Sequence, residues 1–557
     1  MNQTRRTIAA RDAGAGWRSP AIIAVAVFAA APVAAMLWGA LAVESSFQEG
    51  GGLSHLLGVN GARYIASTLL LCLVAGLGAS VIGGACALLI SLTQFPGRRA
   101  LAIALALPFA IPAYVAAYAY GDLFGPFGAL ASLFGPAVLP EIRSLPGAAF
   151  ILMLTTYPYV YLAMNAALSS RSAALMEAAR SLGAAPRRAG MGLLLAASRP
   201  AFIGGLALAL MEIAADYGVA DYFGVQTLSV GIFRTWYGLG DLAAATQIAA
   251  GLFLVALILT IMESAGRRGH TAEDARAHRS SKRLKLSAPH AALAILICAA
   301  PVLFGFAAPA FVLIAKFDPD LSLGAGRDLA SAGLNTAFVA IIGAAAAMAL
   351  ALVLAYASRR AKGNVMKALL RVATLGYAVP GAVMAIGVLA LSAFAARITG
   401  VAMAGGLSVL LYAYVARFLT AGYNAAAGGL AQINPQMDAA ARSLGAGPSR
   451  IVAGVHWPLA RLSILSGAAI VAIDIAKELP ATLLLRPFNF ETLSTRIYRL
   501  ASDERLADAA PAALILILLG LIPALALSVI ADKNNRTRKS ARKSRQTFAG
   551  AKANITA

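Results

Sequence analysis

The feature that most constrains this chain is a series of long apolar runs without charge. The stretch 65–93, for example, contains no Asp, Glu, Lys or Arg. A helix over such a run is long enough, at 1.5 Å per residue, to cross a hydrocarbon core ~30 Å thick. Composition agrees. The chain is 60% hydrophobic and 13% charged, with mean hydropathy +0.76, whereas a soluble protein of this length carries about twice that charge. The net charge of +22 raises the possibility of a nucleic-acid partner. The positions of the charges argue against one, because they fall in short loops and tails between the apolar runs. Cys72, Cys86 and Cys298 all lie inside apolar runs, without metal or disulfide spacing, and read as small apolar residues.

The pattern predicts an all-α polytopic membrane protein with about twelve transmembrane helices. The first six cover 20–43, 65–93, 100–121, 146–168, 200–223 and 242–263. The second six cover 288–315, 332–357, 368–393, 403–425, 462–485 and 508–531. The segment 124–140 is apolar but short and broken by Gly and Pro, which reads as an interfacial or re-entrant piece. Lys and Arg concentrate on one side, including Arg98, Arg99, Arg359, Arg360 and Lys362. By the positive-inside rule this predicts both termini in the cytoplasm. The first span is too long for a cleaved signal and reads as an anchor. The resulting organisation is a cytoplasmic tail (1–19), a first six-span half (20–265), a basic linker (266–287, within a polar stretch that runs to His290 and reads as a flexible tether), a second half (288–531) and a basic tail (532–557).

The two halves are copies. Ala179 to Ala184 reads Ala-Arg-Ser-Leu-Gly-Ala and recurs 262 residues later at Ala441 to Ala446. Pro186 matches Pro448 and Arg199 matches Arg461 at the same shift. Thr227 to Arg234 (TLSVGIFR) resembles Thr492 to Arg499 (TLSTRIYR), and the mid-span Pro112 matches Pro380. Self-similarity in this order means duplication. The repeated loop lies between the fourth and fifth spans of each half, on the expected cytoplasmic side. Its sequence predicts a short helix, a turn at Gly183 or Gly445, and a second helix opened by Pro186 or Pro448. An Ala-rich face edged by Arg180 or Arg442 permits close approach of another protein. The alternative is a plain amphipathic connector lying on the membrane.

Glu177-Ala178-Ala179, then Gly183 and the aliphatic residues beyond it, resemble the cytoplasmic loop of ABC importer permeases, and the second copy repeats the pattern. The resemblance covers about 20–531. It implies that Glu177, Ala178, Ala179, Arg180 and Gly183, with Asp438, Ala439, Ala440, Arg442 and Gly445, form two coupling loops that dock ATPase subunits. The first copy departs at Ala196, where the pattern has Pro and Pro200 follows. The second departs at Ala439, where the pattern has Glu, although Asp438 is adjacent and Pro458 is in place. No G-x-x-x-x-G-K-[ST] phosphate loop and no catalytic constellation is present. The resemblance implies a place in a bacterial inner membrane and, as partners, two copies of an ABC ATPase subunit, a periplasmic substrate-binding protein and the lipid bilayer, with no cofactor bound by this chain.

The fifth spans carry acids. Glu212 aligns with Asp474 and Asp216 with Glu478, each pair at i, i+4, a spacing that places both carboxylates on one helix face. Charge inside a span is costly and normally faces protein or water. Four oxygen-bearing groups around a pseudo-two-fold axis suit the passage of a hard cation such as ferric ion, without implying a high-affinity metal site. Structural pairing with Lys477 or Arg417 is the competing reading. The surrounding words, ADYGVADYFGVQTLSVGIFRTWYGLGD and KELPATLLLRPFNFETLSTRIY, resemble those of fused ferric-iron permeases that work with a periplasmic iron-binding protein. Relatives in the same broad group carry thiamine, putrescine or phosphonate. A secondary transporter driven by an ion gradient is the alternative class. The outer loops, including Glu44, Phe47, Glu49, Trp236, Tyr237, Asp241, Asp503, Glu504 and Arg505, are candidate docking surfaces for the donor protein.

Overall fold

The computed structural model describes residues 18–42, 54–181, 188–267, 283–318, 326–359, 363–400 and 406–522. Lipid offers no partner to a backbone N–H or C=O, so the apolar runs close their hydrogen bonds internally as helices. Among the described residues, nine helices are long and apolar enough to span a bilayer, or ten if one bent pair counts as a span. Twelve were expected. Leu407–Ala431 has the length, but Arg417, Asn424, Tyr412, Tyr414 and Tyr423 dilute its hydropathy. Leu506–Ile522 is apolar but shorter, and the described residues stop at its end.

The bent pair, Arg98–Ala110 and Ala113–Phe134, turns through 90°. Pro112 causes the break. Its missing N–H and fixed φ end a 3-10 turn, Leu107–Ala110, and open the helix Ala113–Phe124. Pro380 does the same in the second half, between the 3-10 turn Gly376–Ala378 and the helix Gly381–Thr399. Within 124–140 the chain forms only the short helix Ala129–Phe134 and a 3-10 turn, Pro136–Val138.

Each first span lies against the opposite half. Arg18–Ala42 packs on Gly381–Thr399, Asn364–Ala373 and Gly326–Ser358. Tyr412 donates to the Phe28 carbonyl (2.8 Å), and the two rings meet edge to face. Ala288–Val302 and its continuation to Lys316 pack on Val59–Leu92 and Ala113–Phe124. There Tyr120 donates to the Phe304 carbonyl in a π turn (2.6 Å), and Lys316 pairs with Asp122 (2.9 Å). The end of the linker is held as well. Leu284–Lys285 forms a two-residue parallel pair with Thr93–Gln94, and Arg283 donates to the Ser91 carbonyl (3.2 Å). The tether reading thus fails at 284–286, where backbone bonds to Thr93–Gln94 fix the chain, and 268–282 lies outside the described residues.

Candidate functional site

The repeated TLS words build the same joint twice. Thr227 and Thr492 cap the helices Leu228–Phe233 and Leu493–Ser502. The next amide, Leu228 or Leu493, donates to the hydroxyl of Thr68 (2.9 Å) or Thr336 (2.8 Å) on the long second helix of its half. Both hydroxyls also bond their own helix one turn back. The joint pins each short helix beside the end of its half's fifth span.

The fifth spans break where the acids fall. The helix Arg188–Ala215 stops one residue before Asp216, whose carboxylate accepts from the amides of Val219 (2.8 Å) and Ala220 (3.4 Å) in the helix Gly218–Tyr222. Trp457–Lys477 stops at Glu478, whose carboxylate accepts from the amides of Ala481 (3.1 Å) and Thr482 (3.0 Å) and from the Thr482 hydroxyl (3.0 Å). The i, i+4 face therefore does not continue through either pair. A carboxylate that can bond the backbone ahead of it competes with helix propagation, and here it caps the next helix instead. Glu478 carries more than Asp216. It is 5% exposed and also accepts from Arg417 Nη1 at 2.5 Å. Gly381 sits against this pair, with no room for a Cβ between Arg417 Nη1 and Glu478 Oε1.

The other two acids are differently placed. Glu212 is exposed and accepts from the Tyr159 hydroxyl (3.1 Å). Asp474, in the opposite half, is partly buried and lies within electrostatic range of Glu212, Lys477 and Arg417. Lys477 itself crosses to the first half, donating to the Phe109 carbonyl at 3.0 Å, in the 3-10 turn before Pro112.

At the other end of the 21-residue Trp457–Lys477 helix lies the second repeated loop. Its helix, Pro435–Ser443, has Asn434 as N-cap, bonding the Gln436 amide at 3.0 Å. Its C-terminus closes in a Schellman arrangement. The Ala446 amide reaches the Ala441 carbonyl, and the Gly445 amide reaches that of Arg442, both at 3.0 Å, with Gly445 at φ +79°. Asp438 faces the bundle. It meets His456 Nε2 at 2.8 Å and Arg359 Nη2 at 3.8 Å, anchoring the loop. Ala439, Ala440, Arg442 and Leu444 are exposed, Leu444 at 87%. In the first copy, Glu177 to Arg180 belong to the end of the helix Leu145–Ser181, without described side chains, and Gly183 lies outside the described residues.

Of the residues expected in outer loops, Asp241 is buried and caps the helix Leu242–Arg267 through the Ala244 amide (2.9 Å). Glu504 pairs with Arg143 (3.0 Å) and Arg505 with Asp508 (2.8 Å). Glu44, Phe47 and Glu49 lie outside the described residues. Sequence reading missed Glu491 in the same region. Burial alone would raise its carboxyl, but hydrogen bonds and charge from Arg499 and Arg496 hold it below the ordinary range. That cluster contributes stability above the ordinary carboxylate pKa and loses it as pH falls through the lowered one.

Duplicated proline breaks, duplicated capped fifth spans and reciprocal first spans define an all-helical, multi-pass membrane protein with internal repeats. No protein-family model matches the chain. Among known proteins it is similar to the Fe(3+)-transport system permease protein FbpB 2 of Haemophilus influenzae, with 25% identity over 484 residues, 85% of this chain and 90% of that protein.

Proposed function

We propose that this chain is the membrane-spanning subunit of an ATP-driven importer that moves ferric iron from a periplasmic donor protein into the cytoplasm. The observation that carries the reading is the similarity along most of both chains to a permease named for Fe(3+) transport. The exposed, capped loop helix at Pro435–Ser443 supports it, being built as a rigid knob on one end of the bundle. In this reading that knob and its first-half counterpart at Glu177 to Gly183 each engage one of two ATPase subunits, both termini are cytoplasmic, and 20–265 and 288–531 act as the two halves of one pathway.

The four carboxylates divide the work. Asp216 and Glu478 hold the breaks in the fifth spans, while Glu212 and Asp474 present negative charge across the interface of the halves. A trivalent cation is drawn to such a surface and released from it, because dispersed acids do not close a cage. Glu212→Gln with Asp474→Asn is expected to lower ferric uptake at least ~10-fold, equivalent to ~1.4 kcal/mol, with normal membrane insertion and ATPase binding. Adding Asp216→Asn and Glu478→Gln should lower yield as well as uptake. Wild-type uptake by the four-fold variant would assign all four acids a purely structural role.

A further inference from the structure

We propose that Tyr217, Tyr498 and Asp221, backed by Tyr118, form a ferric-ion transit site between the two halves. The proposal rests on the ferric reading above and adds the residues that would meet the ion. Tyr217 stands at the break between Arg188–Ala215 and Gly218–Tyr222, Asp221 lies in the latter, and Tyr498 comes from the second half's helix Leu493–Ser502. The Tyr217 and Tyr498 hydroxyls are 2.8 Å apart, and Tyr498 donates to Asp221 Oδ2 at 2.7 Å. Tyr498 has one hydroxyl proton and Asp221 takes it, so Tyr217 donates to Tyr498.

Three observations set this cluster apart from ordinary core tyrosines. First, Tyr118 is buried at 1% exposure and its hydroxyl, like that of Tyr114, has no hydrogen-bond partner among the described residues, and Tyr118 lies within electrostatic range of Tyr498, Asp221 and Tyr217. An orphaned buried hydroxyl is destabilising, and a hard cation among these oxygens would give it a partner. Second, the donors are all phenol or carboxylate oxygen, the set a small trivalent cation prefers over imidazole or thiolate. Third, the site has one closed and one open side. Tyr217 is buried and stacked on Phe233 with ring centroids 3.7 Å apart, whereas Asp221, Tyr222 and Tyr498 are partly exposed.

Because the donors come from both halves, relative movement of the halves would open the site and release the ion. The chemistry is ligand exchange: bonds from the ferric ion to water or to its carrier's oxygen ligands break and those ligands leave, Fe–O bonds to the two phenolates form, both phenol protons pass to water, and no electron moves.

The test uses the purified full-length protein titrated with ferric nitrilotriacetate. Ferric phenolates give a visible charge-transfer band, and the wild-type protein should show one that saturates near one iron per chain. Tyr217→Phe and Tyr498→Phe each should reduce the band at least two-fold and together abolish it. Asp221→Asn should weaken iron binding at least 10-fold, while Tyr237→Phe, outside the cluster, should leave the band intact. Size-exclusion profiles identify any variant that fails to fold, and the remaining single variants still decide the matter. Absence of the band in the wild type, or its persistence in the double Phe variant, overturns the site. Ferric uptake by a protein without the band would overturn this site and leave the cargo reading standing. A Tyr-dependent band in a protein that takes up no ferric iron would uphold the site and overturn that reading.

Discussion

Gly445→Pro is expected to abolish uptake while leaving the protein folded in the membrane. Gly445 sits at φ +79° and donates its amide to the Arg442 carbonyl, and the next amide closes the Schellman turn on Ala441. Proline fixes φ near −65° and has no N–H, so it cannot occupy this position. The end of the Pro435–Ser443 helix would unwind and carry the exposed Leu444 and Arg442 with it. No heavy atom lies within 4 Å of a Cβ built at Gly445, so the change does not reach the core. Co-purification of the ATPase should fall at least 10-fold and transport should drop to background. Gly183→Pro is expected to act alike from the matching sequence. Unchanged co-purification and uptake in the double variant would contradict the docking role of the loops.

The second large effect separates two carboxylates that align in the duplication. Glu478→Ala should destabilise the solubilised protein by about 3–5 kcal/mol, the cost of removing one member of a buried ion pair. Arg417 would keep its charge in the bundle with its partner gone, and the amides of Ala481 and Thr482 would lose their acceptor. Asp216→Ala should cost only about 1 kcal/mol, the ordinary value of a helix cap, because among the described residues its donors are backbone amides. Arg417→Ala should resemble Glu478→Ala. Gly381→Ala should destabilise in the same direction by forcing a Cβ against that pair. Thermal unfolding in detergent reads all four, and equal small losses at Asp216 and Glu478 would contradict the assignment.

Much of this architecture was legible in the sequence. Uncharged length marks a span because the bilayer imposes a single requirement on it. Pro112 and Pro380 stand at helix breaks, whereas Pro32, Pro158 and Pro200 lie inside continuous helices, so the match between the halves, and not proline alone, marked where the spans bend. Glycine at 445 supplied the turn that its position implied. The roles of individual acids were less legible. The i, i+4 spacing of Glu212 with Asp216, and of Asp474 with Glu478, described a continuous helix, and the helices end at Ala215 and Lys477. In a sequence, a carboxylate that caps the next helix looks like one that does not. Only the distances to Val219, Ala481 and Arg417 distinguish them. The anchoring of Asp438 by His456 was invisible for a related reason, since it depends on how the loop folds back over 18 residues. The packing of each first span on the opposite half has no local signal, because an apolar helix surface does not specify which apolar surface it meets.

Ferric uptake into vesicles separates an ATP-driven permease from an ion-gradient-driven one. The chain is reconstituted with its ATPase and donor protein, ATP is enclosed, and an ionophore collapses proton and sodium gradients. Iron loaded on the donor protein should enter at an undiminished rate, and withdrawing ATP should stop it. Uptake that continues without ATP and ceases with the ionophore would contradict the account and make this protein an ion-gradient-driven transporter.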